Sequence, residues 1–231
     1  MTKGTFYTKL RRQIKDTGKL SYTDSDLDSY IEEGIRFVLN STHPNVLKNH
    51  IKQEHLEVKV GPESVTNDKD VDTYIMLSEE PFDIVSVKIL GEAQRYATEV
   101  NISDLKKYEN KYLHPTMDSP IWYQTHLSGM TEEVSKVISL RPPMGPPTTV
   151  EVLYLKQINF TSLGNNDEFE FEQTLVDALS YIVEGLIWKS DGRLNESGVA
   201  MEMGTQIVNM LNQKFLNTGV KSEAGVPLNR E

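Results

Sequence analysis

Four prolines fall within six positions, Pro142, Pro143, Pro146 and Pro147, and they separate two runs of alternating apolar residues. The first run, VISLR, ends at Arg141, and the second, TVEVLYLK, runs from Thr149 to Lys156. Alternation at period two is a strand signal, and a Pro/Gly cluster between two such runs is a turn signal. The spacing therefore predicts a β hairpin over residues 132–156, in the middle of a chain whose two ends carry helical patterns. Nothing in this stretch looks reactive, and it reads as a part that packs.

Towards the N-terminus, Phe6, Leu10 and Ile14 recur at helical spacing with Lys and Arg between them, and Gly18 is the expected stop. Thr23 followed by Asp26 predicts a capped helix start. Leu27, Tyr30, Ile31, Ile35, Val38 and Leu39 continue as one apolar stripe. From Glu54 the period changes to two. Strands are expected near Leu56–Val60, Thr73–Leu77, Ile84–Leu90 and Ile121–Leu127, with a short helix over Asn101–Asn110 and an ambiguous stretch over Glu92–Val100. After Lys156, Phe171 to Ile187 form a wide apolar face on one long helix, and Gly192 is placed to end it. A second helix follows through Phe215, in which Gly198, Ala200 and Gly204 would let a neighbour approach closely. Residues 218–231 show no periodicity.

The expected fold class is α+β, a helical bundle built from N-terminal and C-terminal helices with an inserted antiparallel β region. The expected divisions are N-terminal helices over 1–53, a β-rich insertion over 54–160, a helical hairpin over 161–217 and an extended tail over 218–231.

A chain of 231 residues can bury a sizeable core, and with no cysteine it has no disulfide framework, thiolate metal site or cysteine nucleophile. No apolar run approaches the roughly 20 residues a membrane span needs. The opening MTKGTFYTKLRRQIKD contains no apolar h-region, so no secretory signal is expected. The net charge is −10, yet Lys3, Lys9, Arg11, Arg12, Lys15 and Lys19 crowd the first 19 residues. An acidic body argues against phosphate neutralisation as the main function, while the basic first helix leaves a nucleic-acid contact open.

Motifs for chemistry are sparse. His50, Glu54 and His55 in HIKQEH fail the i, i+4 histidine spacing of a zinc helix, so no metal is expected. Asp24, Asp26 and Asp28 resemble the start of a calcium loop but lack its Gly and distant Glu, and helix capping explains them. No nucleophile elbow, Walker loop or dinucleotide fingerprint occurs. No cofactor and no catalytic residue is expected. Trp122-Tyr123 and Trp188 are candidates for a sugar or base platform, or for packing and subunit contact. A hydrolase or sugar-binding module with carboxylates hidden in the β region stays open as an alternative.

The order of parts resembles a known family. A capped helix start at Thr23–Leu27, a β middle with PIWYQ, the strand–proline–strand unit at Ile138–Tyr154 and the helix pair at Phe171–Phe215 resemble the head-to-tail adaptors of short-tailed bacteriophages, the tail-tubular-A-like connectors. That resemblance implies a structural virion protein at the head–tail interface, assembled in the host cytoplasm and making no covalent chemistry. It implies a homo-oligomeric ring, a dodecamer in such adaptors, with the portal on one side and tail or nozzle proteins on the other. DNA would pass through the lumen without sequence-specific binding, and no membrane would be involved. It implies that the C-terminal tail docks on the portal through Val220, Val226 and Leu228. It also implies subunit contacts near the proline segment, for which Trp122, Tyr123 and Met144 are candidates. Another ring or tail-completion component of the virion neck is the nearest alternative.

Overall fold

The computed structural model describes residues 1–18, 21–60, 73–91, 94–110, 112–124, 137–145, 147–168 and 171–217. They fall into two units, one of Met1–Lys48 with Ile158–Glu231 and one of Asn49–Gln157.

Among its described residues the first unit holds four α-helices: α1 (Lys3–Gln13), α2 (Asp24–Ser41), α3 (Gln173–Ser190) and α4 (Leu194–Asn217). Thr23 and Asp26 close a reciprocal capping box at the start of α2, which satisfies two of the backbone donors a helix start leaves unpaired. Leu27, Ile31, Ile35, Val38 and Leu39 are all buried. α3 is the central element. It packs against α1, α2 and α4, and ten of its residues are buried, which accounts for its apolar composition all round. Gly192 takes φ +75° just past its end, where the Gly192 and Arg193 N–H groups return to Lys189 O (3.1 Å) and Trp188 O (2.9 Å). α1 ends the same way but earlier than Gly18. Lys15, at φ 62°, takes the left-handed position, and the Asp16 N–H returns to Arg11 O at 2.8 Å.

Among its described residues the second unit forms an eight-stranded sheet. Its strands are β1 (Ile51–Glu57), β2 (Lys59–Val60), β3 (Thr73–Met76), β4 (Pro81–Leu90), β5 (Arg95–Glu99), β6 (Ile121–Gln124), β7 (Val137–Arg141) and β8 (Thr149–Lys156). The order is β1-β8-β4-β5-β6-β7-β3-β2. The strands at the two ends of this order, β1 and β2, are separated in the chain by Val58 alone, so the sheet must curl until its edges meet. Val58 bridges that seam, its N–H donating to Thr148 O at 3.0 Å. One core fills the curl and draws on both halves of the sheet: Val87, Ile89, Val150, Val152 and Tyr154 pack with Ile75, Trp122, Ile138 and Leu140.

This architecture corrects the expected fold class. The β region is not an antiparallel insertion in a helical bundle but a major, mixed and nearly closed sheet with a core of its own. β5 and β6 run parallel, and the other pairs are antiparallel. The hairpin over 132–156 is also corrected. β7 pairs with β3 and β6, whereas β8 pairs with β1 and β4. The proline segment is a crossover. Prolines have no N–H to donate, so this segment cannot zip two flanking strands together from a tight turn. It is tied to β3 instead, where the Thr73 hydroxyl donates to Leu140 O (3.2 Å) and accepts from the Met144 N–H (3.3 Å). The Asn101–Asn110 helix is a 3₁₀ segment, Ile102–Glu109, capped by Asn101, and the ambiguous stretch supplies β5.

Candidate functional site

The basic residues of α1 are mostly turned inward. Arg11 is buried, and its guanidinium reaches Asp16 and Asp24 at 2.7 Å each and Tyr22 O at 3.0 Å. Lys3 is buried, donates to Phe160 O at 3.0 Å and sits 4.7 Å from the centre of the Phe160 ring. Lys9 pairs with Asp177 at 2.6 Å. Arg12 and Lys15 are exposed, and Lys19 lies outside the described residues. The Lys and Arg between the apolar positions of α1 therefore do not form one basic outer face: of its four cations, Lys3, Lys9 and Arg11 hold the helix to its neighbours and Arg12 is exposed. Residue type gives the charge but not the direction in which the side chain points.

The sheet carries one dense polar cluster that sequence reasoning missed. Lys52 and Glu54 are two apart on β1 and therefore share a face. Lys52 Nζ lies 2.8 Å from Glu54, 3.2 Å from Glu79 and 2.7 Å from Ser78 Oγ. The Tyr154 hydroxyl donates to Glu54 at 2.7 Å, the Ser78 N–H donates to it at 3.1 Å, and the Ser78 hydroxyl also donates to it. The available signal was the Lys52/Glu54 alternation, but the partners come from β8 and from the turn between β3 and β4.

The electrostatics of this cluster decide what it can do. Burial on its own would raise the Glu54 carboxyl, but hydrogen bonds from Lys52, Ser78 and Tyr154 overcome it and bring the pKa down to about 2. The hydrogen bond to Glu54 raises Lys52, and burial together with Glu54 pushes Tyr154 up to about 12. A serine–lysine dyad needs a neutral amine, and a glycosidase pair needs one protonated carboxyl. At neutral pH this cluster offers a held ammonium and a held carboxylate. Its chemistry is that of an ion-pair clasp between strands.

That clasp predicts an acid response. A carboxyl depressed in the folded state stabilises the fold fully above its ordinary value of 4.5, and the contribution is lost as pH falls from there towards 2. Denaturant midpoints of the wild-type chain are expected to drop between pH 5 and pH 2. Glu54→Gln should lower the midpoint at pH 7 and flatten the drop.

The tryptophans offer no open platform. Trp122 is in the core of the sheet. Trp188 is 7% exposed, donates Nε1–H to Glu184 at 3.1 Å, and is covered by the Arg193 guanidinium 3.7 Å from its ring centre. Tyr123 and Met144 are buried too. Trp122, Tyr123 and Met144, the candidates for subunit contact, are thus enclosed within a single chain. Val220, Val226 and Leu228 lie outside the described residues. The HIKQEH segment is not a helix: His50 closes a 3₁₀ turn, Glu54 joins the clasp, and His55 reaches Glu151 at 3.1 Å. Among the described residues no group of three or more His, Asp or Glu side chains is placed to hold a metal ion. Nor does any described helix have the length and apolarity to cross a membrane.

What the surface does present is apolar. In the sheet unit, Ile102, Leu113 and Met117 are more than half exposed and Tyr112 is 90% exposed, all between β5 and β6. In the helical unit, α4 exposes Leu194, Val199, Met203 and Met210. Its 24 residues include only three charged ones, Glu196, Glu202 and Lys214. Low charge with exposed Met is the composition of an interface core, not of a solvated helix. Beside this face is an open groove of about 430 Å³, in which Val199, Ala200 and Met203 are flanked by the charged Lys15, Glu184, Arg193 and Glu196.

The chain matches no protein-family model and no curated protein.

Proposed function

We propose that this chain is a structural virion protein that forms a connector ring between portal and tail, through which DNA passes. The observation that carries the reading is that each unit exposes its own set of apolar side chains: Ile102, Tyr112, Leu113 and Met117 in one, Val199, Met203 and Met210 in the other. A head-to-tail contact repeated about an axis joins two different patches, and a single self-matching patch would give a closed dimer instead. A net charge of −10 fits a channel that DNA must pass without sticking. The order of sequence elements gives the reading its particular place, the neck of a tailed phage. Tail residues Val220, Val226 and Leu228 are the proposed anchors on the portal.

The test is association with the portal ring of the same virion. The full chain should co-sediment with it in several copies per ring. Truncation after Thr218 should abolish attachment while leaving the circular dichroism spectrum of the remaining chain unchanged. Attachment unaffected by the truncation would reject the anchoring role of the tail.

A further inference from the structure

The groove beside α4 has an open apolar floor, and the same chain carries a segment able to fill it. We infer that Val226-Pro227-Leu228 docks in cis into the groove between α3 and α4, against Val199, Ala200 and Met203. Two observations converge. The floor is exposed where a helix of a soluble unit would normally show charge: Val199 is 60% and Met203 43% exposed. The reach fits. A helix rises about 1.5 Å per residue, so Met203 and Val199 lie about 21 and 27 Å back from the end of α4 at Asn217. The nine residues from Asn217 to Val226 span up to about 30 Å when extended. Val226 and Leu228 thus come within reach of the floor if the residues before them turn back along the helix, whereas Val220 falls short of it.

Tethering favours this occupant over a second copy. A short flexible link gives an effective concentration of about 1 mM, well above the micromolar concentrations of free chain in solution. The inference does not depend on the connector reading. If both hold, the anchors proposed for the portal are parked on α4 until a partner draws them away, and their release uncovers Val199 and Met203.

The chain has no cysteine, so a disulfide test has no background. In the full chain, Asn195→Cys lies at the groove and Asn229→Cys lies beside Leu228, while Glu33→Cys on the exposed side of α2 serves as the control partner for Asn229→Cys. Under mild oxidation the groove pair should form an intramolecular bond at least tenfold faster than the control pair. Met203→Glu should remove that advantage, and so should Leu228→Ser, which leaves the folded units untouched. Equal rates for the two pairs, no bond, or a bond found only in covalent dimers would overturn the proposal. The dimer outcome would assign the groove to the tail of another copy.

Discussion

Arg11→Ala is expected to lower the unfolding free energy by about 3–5 kcal/mol, the cost of stranding a buried charge. Asp16 is the charge left behind. Its side chain is 5% exposed, and besides Arg11 it accepts the backbone N–H groups of Ser21 (3.0 Å) and Tyr22 (3.3 Å). The same guanidinium ties down Tyr22 O and Asp24, which stand just before and just inside the start of α2. Losing it should therefore loosen the α1–α2 connection and the capped helix start together. Arg12→Ala, at an exposed position one residue away, should change stability by no more than about 0.5 kcal/mol. Denaturant melts followed by far-UV circular dichroism separate the two. The contrast also bears on function. If α1 were a nucleic-acid arm, both substitutions would weaken salt-sensitive DNA binding, and Arg12→Ala would do so without touching stability.

Gly204→Leu is expected to cost about 3 kcal/mol, at the upper end of overpacking effects. A Cβ at this position would lie 2.6 Å from Ile182 Cγ1, 2.9 Å from Ala178 O and 3.2 Å from Ile182 N. The first neighbour can rotate away. The other two are α3 backbone and cannot, so α3 and α4 must separate along their length. Gly198→Ala provides the contrast. No atom lies within 4 Å of its Cβ position, so the change should stabilise α4 by about 0.5–1 kcal/mol through helix propensity alone. Thermal melts of the two variants should move in opposite directions.

These positions show how far the sequence could be read. The capping box at Thr23, the stripe from Leu27 to Leu39 and the stop at Gly192 were legible because each is a local pattern with a local cause. Gly204 and Ala200 were legible as small residues four apart on a packing face, whereas Gly198, two residues before Ala200, is about 200° round the helix and faces open space. The strands flanking the prolines were legible as strands, yet their pairing was not. Alternation marks which residues face the core and carries no record of the neighbouring strand. The parallel β5–β6 pair and the closure at Val58 are likewise products of topology. Burial did not follow from residue type. Trp122 and Met144 lie in the core of the sheet and Tyr123 is buried as well, while Lys3 and Arg11, which read as surface charge, lie inside the helical unit. The exposed face of α4 had a signal in its three charged residues, which composition over the whole chain had averaged away.

The proposed connector acts by shape, tiling with its copies around a channel. Cryo-electron microscopy of the neck of a tailed phage whose genome encodes this chain puts that proposal to the test. Several copies are expected in a ring between portal and tail, with residues 102–117 of one copy against α4 of the next. A neck without this chain, or one where it sits as isolated copies with both apolar surfaces facing solvent, would contradict it.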